Sequence, residues 1–345
     1  MKLVIAIGGN ALLRRSQAPS AANLLANVRL AAAQLAKIAR MTDGSSNPAH
    51  QIVLTHGSGP QVGLLALQSA AYAAQTPGAE SDTLDMLDAE VAGMLGYVLE
   101  QEIANLLPAE RVVATLLTRV EVDRLDPAFK NPTKPIGPTY SREQADKAAA
   151  GRPWTMGVDG SSGSGSSGLR RLVASPRPVR VLAMDAISGL LGRGALVIAG
   201  GGGGIPVMRH APGEGMESME SMEGVEAVID KDLCTALIAT GLQADCLLIA
   251  TDVDAVYLNW GQPGQRRLDK TTPQELAQHS FTPGSMAPKV EAAINFVKAT
   301  GKRAVIGPLD RIVDMLAGQA GTQIEADAGV AADAVASQPS RTTSR

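Results

Sequence analysis

Aromatic residues, cysteine and any excess of positive charge are what this sequence has least of. Three Phe, four Tyr and two Trp make up 3% of its 345 residues, too few to build the stacking platforms that hold single-stranded nucleic acid. The formal net charge is -3 and the isoelectric point about 5.9. With no broad basic field, no nucleic-acid partner is expected, and any anion site must be local. The only cysteines, Cys234 and Cys246, sit in apolar surroundings; they supply neither a disulfide framework nor a four-ligand zinc pattern and read as packed thiols. The four histidines show no metal-ligand spacing. His50, His210 and His279 fall in loop-like or helix-end stretches expected to face solvent, whereas His56 lies in a glycine turn, where it either touches ligand or braces the loop. No apolar run approaches the roughly 18 residues of a membrane span, and the first strand begins within two residues of Met1. A cytoplasmic location without membrane contact is the expectation.

Two common phosphate-binding devices are missing as well. There is no Gly-x4-Gly-Lys-Ser/Thr loop, and Gly8-Gly9-Asn10-Ala11 does not complete a Gly-x-Gly-x-x-Gly signature. What is present instead is a set of apolar strands that run straight into glycine. Leu3–Ile7 leads into Gly8-Gly9-Asn10, Ile52–Leu54 into Thr55-His56-Gly57-Ser58-Gly59-Pro60, and Ala195–Ala199 into Gly200–Gly204. Glycine lets the main chain approach a charged ligand, so that N–H groups surround its oxygens. Either of the first two turns alone could be no more than a tightened connection. Five consecutive glycines, however, are entropically costly to order and point to a site that needs bare backbone.

With 45% hydrophobic and 19% charged residues, the chain can bury a sizeable core in one large or two smaller domains. Residues 23–40 read as an amphipathic helix, followed by a strand at 51–55, helices at 60–74 and 82–106, and a strand at 111–117. Prolines 127, 132, 135, 138, 153, 176 and 178 then break the rhythm between Asp123 and Arg180, which predicts a small excursion. Regularity returns at 185–191, the strand 195–199, the helix 231–240, the strand 246–250, the helix 286–300 and the strand 303–306. This alternation predicts an α/β fold with a parallel sheet between helices. The Ser/Gly tract at 161–168 and the Met/Glu-rich stretch at 213–224 read as surface loops without strand or helix signals, and residues 325–345 as a disordered tail.

Three lysines stand in unusual settings: Lys134 between prolines, Lys231 between Asp230 and Asp232, and Lys289 after Pro288. A lysine chosen at random is a solvated surface residue. Phosphoryl transfer, however, needs positioned cations more than it needs a nucleophile. Thr251–Tyr257 follows a strand end, where open α/β sheets bind ligand, although it also reads as a polar turn before a hairpin. Glu90, Glu100 and Glu102 read as polar-face or interface residues of the long helix rather than an acid/base pair.

In order along the chain, these segments resemble the amino acid kinase family and, within it, the carbamate kinases. The resemblance covers about residues 1–324 and is carried by residues 6–13, 55–68, 133–138, 201–207, 224–233, 251–257 and 284–293. It implies an open, mainly parallel eight-stranded sheet sandwiched by helices, with a small protruding subdomain at 123–180. Residues 1–122 and 181–210 would form a substrate-binding lobe and 211–324 a nucleotide-binding lobe. The implied reaction is reversible phosphoryl transfer between ATP and carbamate, run toward ATP from carbamoyl phosphate and ADP in arginine catabolism, with Mg2+ carried on the nucleotide, no metal held by the protein, and a homodimeric assembly. Lys134, Lys231, Asp232 and Lys289 would be catalytic. Gly8, Gly9, Asn10, Gly57, Ser58 and Gly59 would bind substrate, and Gly202, Gly203, Thr251, Asp252, Val253, Tyr257 and Met286 would bind nucleotide. Ser58 stands where the family usually has Asn, Ala287 where Gly is usual, and Ala92 where a polar side chain is common. The alternatives are a kinase of another small acid, acetylglutamate-like or a phosphonate, and an inactive nucleotide-binding regulator.

Overall fold

Side chains that alternate across two faces build the centre of the molecule. In the strand Lys2–Ile7, Leu3, Ile5 and Ile7 enter one apolar cluster, while Val4 and Ala6 enter another. Gln51–His56 divides Ile52 and Leu54 from Val53 in the same way, and Cys246–Thr251 divides Cys246 and Leu248 from Leu247 and Ile249. A sheet buried on both faces needs such unbroken apolar runs, and each fully buried Leu or Ile contributes about 1.5–3 kcal/mol. The computed structural model describes residues 1–12, 17–18, 20–42, 48–158, 168–209 and 221–326. His210, most of the 161–168 and 213–224 stretches, the tail from 327 and the side chain of Asn10 lie outside the described residues.

The main sheet has eight strands in the spatial order Lys270–Thr271, Thr322–Ile324, Arg303–Pro308, Cys246–Thr251, Lys2–Ile7, Gln51–His56, Leu196–Ile198, Val113–Thr115. Every neighbouring pair is parallel except Arg303–Pro308 with Thr322–Ile324. Helices Ala21–Ala39 and Leu84–Ala104 contribute to the cluster containing Leu3, and Lys231–Gly241 and Met286–Thr300 to the cluster containing Val4. Ser20 caps the first of these by accepting the Asn23 N–H, and Gly301, at φ 67°, ends the last in the left-handed conformation glycine tolerates. Among the described residues, no helix is long and apolar enough to cross a membrane.

Several expectations need correction. The strand expected at 111–117 covers only Val113–Thr115; the chain then leaves the main sheet, and Arg119–Val122 joins a second sheet ordered Met222–Gly224, Ile205–Arg209, Arg119–Val122, Pro178–Val181. The Met/Glu-rich stretch therefore ends in a strand, paired antiparallel with Ile205–Arg209; a three-residue strand fixed by a distant partner carries no periodic signal. His50 does not simply face solvent: its Nδ1 is buried without a hydrogen-bond partner among the described residues, and burial lowers its pKa. His279 is exposed, and both cysteines are buried.

The proline-rich excursion contains a three-stranded sheet, Lys134–Tyr140, Leu169–Val173 and Thr155–Val158, and the helix Arg142–Ala149 with its Ser141/Gln144 capping box. Among the contacts that hold it to the body are two at its base. Arg171, stacked 4.4 Å over Trp154, donates to Glu226 Oε1 at 2.8 Å, while Glu226 Oε2 accepts the Leu84 N–H at the start of the long helix. Gly63, in the helix Gln61–Gln75, lies so close to Gly137 that a Cβ on Gly63 would run into the Gly137 backbone. In an ordinary helix interior, Gly→Ala stabilises by up to about 1 kcal/mol. Gly63→Ala is instead expected to destabilise the protein by about 1–3 kcal/mol, the cost of overpacking, in urea unfolding; a gain in stability would show that the glycine contact does not form.

Candidate active site

The C-terminal ends of parallel strands open on one cleft of about 1390 Å³, the position where open α/β sheets take ligands. It exceeds the roughly 300–1000 Å³ that suits a single small ligand. Gly8 and Gly9 follow Ile7, and Gly57, Ser58 and Gly59 follow His56; all five line the cleft. The two turns press against each other: a Cβ on Gly9 would stand 2.6 Å from the Gly59 nitrogen, and one on Gly57 2.7 Å from the Gly9 nitrogen. Glycine is required here for close approach, and the wall it leaves is main chain.

The third glycine run forms a tight turn, with Gly200 at φ 62° and Gly202 at φ 72°. A Cβ on Gly202 would stand 3.7 Å from Ser58 Cβ and 3.8 Å from Asp88 Oδ1, so Gly202, which lines the cleft, borders the Gly57–Gly59 turn. Gly203 does not line the cleft; it packs against the Ile229 carbonyl. His56 is a brace rather than a cleft residue. It is buried beneath Gly201, where a Cβ would stand 2.6 Å from His56 Nε2, and burial lowers its pKa to about 4, leaving it neutral at physiological pH.

The charged centre is built on the N-terminus of the helix Lys231–Gly241. Asp230 caps this helix, its Oδ1 accepting the N–H groups of Asp232 at 2.9 Å and Leu233 at 3.3 Å. One turn of helix places Lys231 and Asp232 next to the cap. Lys231 Nζ donates to Asp232 Oδ1 at 2.5 Å. Lys289, in the first turn of the adjacent helix Met286–Thr300, donates to Asp232 Oδ2 at 3.1 Å. Lys134, the first residue of the protruding sheet, reaches Asp230 Oδ2 at 3.1 Å. The three lysines singled out in the sequence thus meet around two carboxylates.

Burial alone would raise the Asp232 pKa, but the charges of Lys231 and Lys289 and the hydrogen bonds from both outweigh it, and the carboxyl stays ionised well below its usual range. Burial lowers the Lys231 pKa, with Asp232 opposing and Lys289 adding. Burial acts in the same sense on Lys289, yet Asp232 outweighs it and the Lys289 pKa is raised. Such a cluster offers positive charge and N–H donors to phosphoryl oxygens.

Thr251, Asp252, Val253, Tyr257 and Met286 line the same cleft. Sequence reading missed Trp260 and Phe281, which also line it; Trp260 packs edge-on to Tyr257, ring centroids 5.0 Å apart. It also missed Asp88. This residue sits on the long helix one turn before Ala92, buried, with neither carboxyl oxygen hydrogen-bonded among the described residues. Nothing in the local pattern marks it, because its surroundings come from the distant glycine run. Glu102 pairs with Arg29 at 3.1 Å, away from the cleft lining.

The fold and this cleft define a phosphoryl-transfer protein, and the chain belongs to the amino acid kinase family, whose sequence model matches residues 1–308. Within it, the chain is 49% identical over 324 residues to the carbamate kinase of Haemophilus influenzae, covering 94% of this chain and 96% of that protein. It is 47% identical over 324 residues to the carbamate kinase of Rhizobium meliloti, covering 94% and 93%. The structure of carbamate kinase from Giardia lamblia bound to AMP-PNP superposes with a TM-score of 0.80 at 37% identity, covering 94% of this chain and 98% of that one.

Burial raises the Asp88 pKa well above the ordinary 3.8, opposed by Lys134 and reinforced by Asp85 and Glu226. The unfolded chain releases this proton near pH 3.8 while the folded protein keeps it, so this group makes stability fall as pH rises above about 4. Asp88→Asn should therefore melt higher than the unaltered protein at pH 7, with the difference closing as pH approaches 4. A lower melting temperature at pH 7 would mean that the carboxylate is ionised and needed.

Proposed function

We propose that this protein is a carbamate kinase that transfers phosphoryl reversibly between ATP and carbamate, running mainly toward ATP from carbamoyl phosphate and ADP. The observation that carries this reading is the meeting of Lys134, Lys231 and Lys289 around Asp230 and Asp232, beside a wall of bare main chain. Gly8, Gly9, Asn10, Gly57, Ser58 and Gly59 hold the carbamate and the migrating phosphoryl group. Gly202, Thr251, Asp252, Val253, Tyr257 and Met286 take the nucleotide, Gly202 where it borders the Gly57–Gly59 turn. Residues 1–122 and 181–210 then serve as the substrate lobe, 211–324 as the nucleotide lobe, and 123–180 as the protruding subdomain that carries Lys134. Neither another small-acid kinase nor an inactive regulator is favoured, because the relatives matching over nine-tenths of the chain are carbamate kinases.

Carbamate is already an anion, so it needs no general base. It needs the repulsion between two anions screened and the in-line approach held. Lys231 and Lys289 bring charge to the oxygens on which negative charge grows, and Asp232 fixes their positions. Each positioned donor contributes on the order of 3 kcal/mol to the rate. The donor set suits a magnesium ion that arrives on the nucleotide. Asp230 and Asp232 are engaged by lysines, and the described residues contain no group of three or more ligating side chains, so the phosphates and water would supply most of the ligands. When bound, the ion neutralises charge across the nucleotide phosphates.

The assembly is a homodimer in this reading. Met86, Met94 and Tyr97 share one face of the long helix and are 56%, 39% and 66% exposed; Leu117, 57% exposed, lies against the same face at Gly93. An apolar face of this kind marks an interaction surface. The reaction belongs in the cytoplasm, where two unbonded thiols persist, and carbamoyl phosphate from arginine catabolism would feed it.

Purified protein given carbamoyl phosphate and MgADP should make ATP in a luciferase assay; no ATP would overturn the assignment. Lys231→Ala or Lys289→Ala should lower kcat at least a hundredfold with far-UV circular dichroism unchanged, and a near-normal rate would remove that lysine from the mechanism. Tyr97→Lys together with Met94→Glu should halve the mass measured by light scattering.

A further inference from the structure

The two carboxylates of the charged centre are not equivalent. Asp232 is buried and shared by Lys231 and Lys289. Asp230 lies on the cleft wall, 21% exposed, and Lys134, its partner at 3.1 Å, is 25% exposed. Its two oxygens are divided in use: Oδ1 faces the helix N–H groups, and Oδ2 faces the lysine. The helix therefore holds this carboxylate in place, whereas its lysine comes from the separate protruding sheet.

We propose that Asp230 is a positioning residue that stores Lys134: its Oδ2 pairs with the ammonium and releases it only to a ligand oxygen that competes for the same donor. The inference rests on the reading of Lys134 as a catalytic residue of this cleft. Without the Asp230 charge, Lys134 would lose its ion-pair partner in a cleft where Lys231 and Lys289 already share Asp232 and the Asp252 charge also acts on Lys289, beside the positive end of a helix dipole. Such a cleft would capture any small anion. With Asp230 in place, an anion must displace an existing ion pair. The penalty weakens every ligand that takes Lys134 by the same factor, and inorganic phosphate, which offers oxygens but no further contacts, starts weakest and is the first to drop out of its binding range. A phosphoryl donor that also fills the rest of the cleft tolerates the same penalty. Asp230 thus lowers capture of free phosphate while keeping Lys134 ready and oriented.

The test separates the charge from the cap. Asn and Ser both cap helices about as well as Asp, so Asp230→Asn and Asp230→Ser should leave the melting temperature and circular dichroism close to those of the unaltered protein. Inorganic phosphate binding, measured by isothermal titration calorimetry on the full chain, should tighten about tenfold in both variants. In a Lys134→Ala background, the same substitutions should change phosphate affinity less than twofold. A structural lesion would weaken anion binding, so unchanged or weaker phosphate binding in the single variants overturns the proposal. Equal tightening with and without Lys134 overturns it too, since that would be a general effect of removing one negative charge. Because the readout is binding rather than turnover, it decides this point even if the chain makes no ATP from carbamoyl phosphate.

Discussion

Like charges must be gathered before this site can work, and Asp232 makes that possible. Two ammonium groups about 4 Å apart repel by about 4 kcal/mol at an effective dielectric constant near 20. Lys231 and Lys289 can share a nearly dry pocket only because each takes a different oxygen of one carboxylate. Much else in the architecture serves this pair. The helix Lys231–Gly241 must start at Asp230 so that its second helical residue is the shared carboxylate, and the helix Met286–Thr300 must lie beside it so that a first-turn lysine can reach over. The double-sided sheet supplies the rigid seat for both helices.

The main sheet was legible because it obeys a local rule. Strands buried on two faces are continuous apolar runs, and those at Lys2–Ile7, Gln51–His56 and Cys246–Thr251 are unmistakable as such. The glycine turns were legible for the complementary reason that only close backbone approach explains them, as at Gly9 and Gly57. The second sheet was not legible. Arg119–Val122, Ile205–Arg209 and Met222–Gly224 are short, carry polar residues and gain their pairing from one another across long stretches of chain. In the site, the lysines announced themselves through flanking prolines and aspartates. Asp88 did not, because a lone polar residue on a helix reveals its burial only when the opposing element is in place; at His56 the glycine turn left ligand contact and loop bracing both open, and the structure shows the brace.

Glu226 joins the excursion to the body at two points at once. One oxygen holds Arg171 and the other holds the first N–H of the long helix, so a single carboxylate ties the protruding sheet to the helix that carries the exposed apolar face. The guanidinium is in turn oriented by the Trp154 ring, which limits the directions in which that tie can act.

The seat of that excursion is the meeting of Gly63 with Gly137, where main chain rests on main chain. With no side chain between them, the two glycines set how near the strand can come to the helix. Lys134 sits three residues along the strand from it, roughly 10 Å at the rise of an extended chain. A rotation of a few degrees about the two glycines would move the ammonium by under an ångström, fine adjustment of a charge whose usefulness falls steeply with distance.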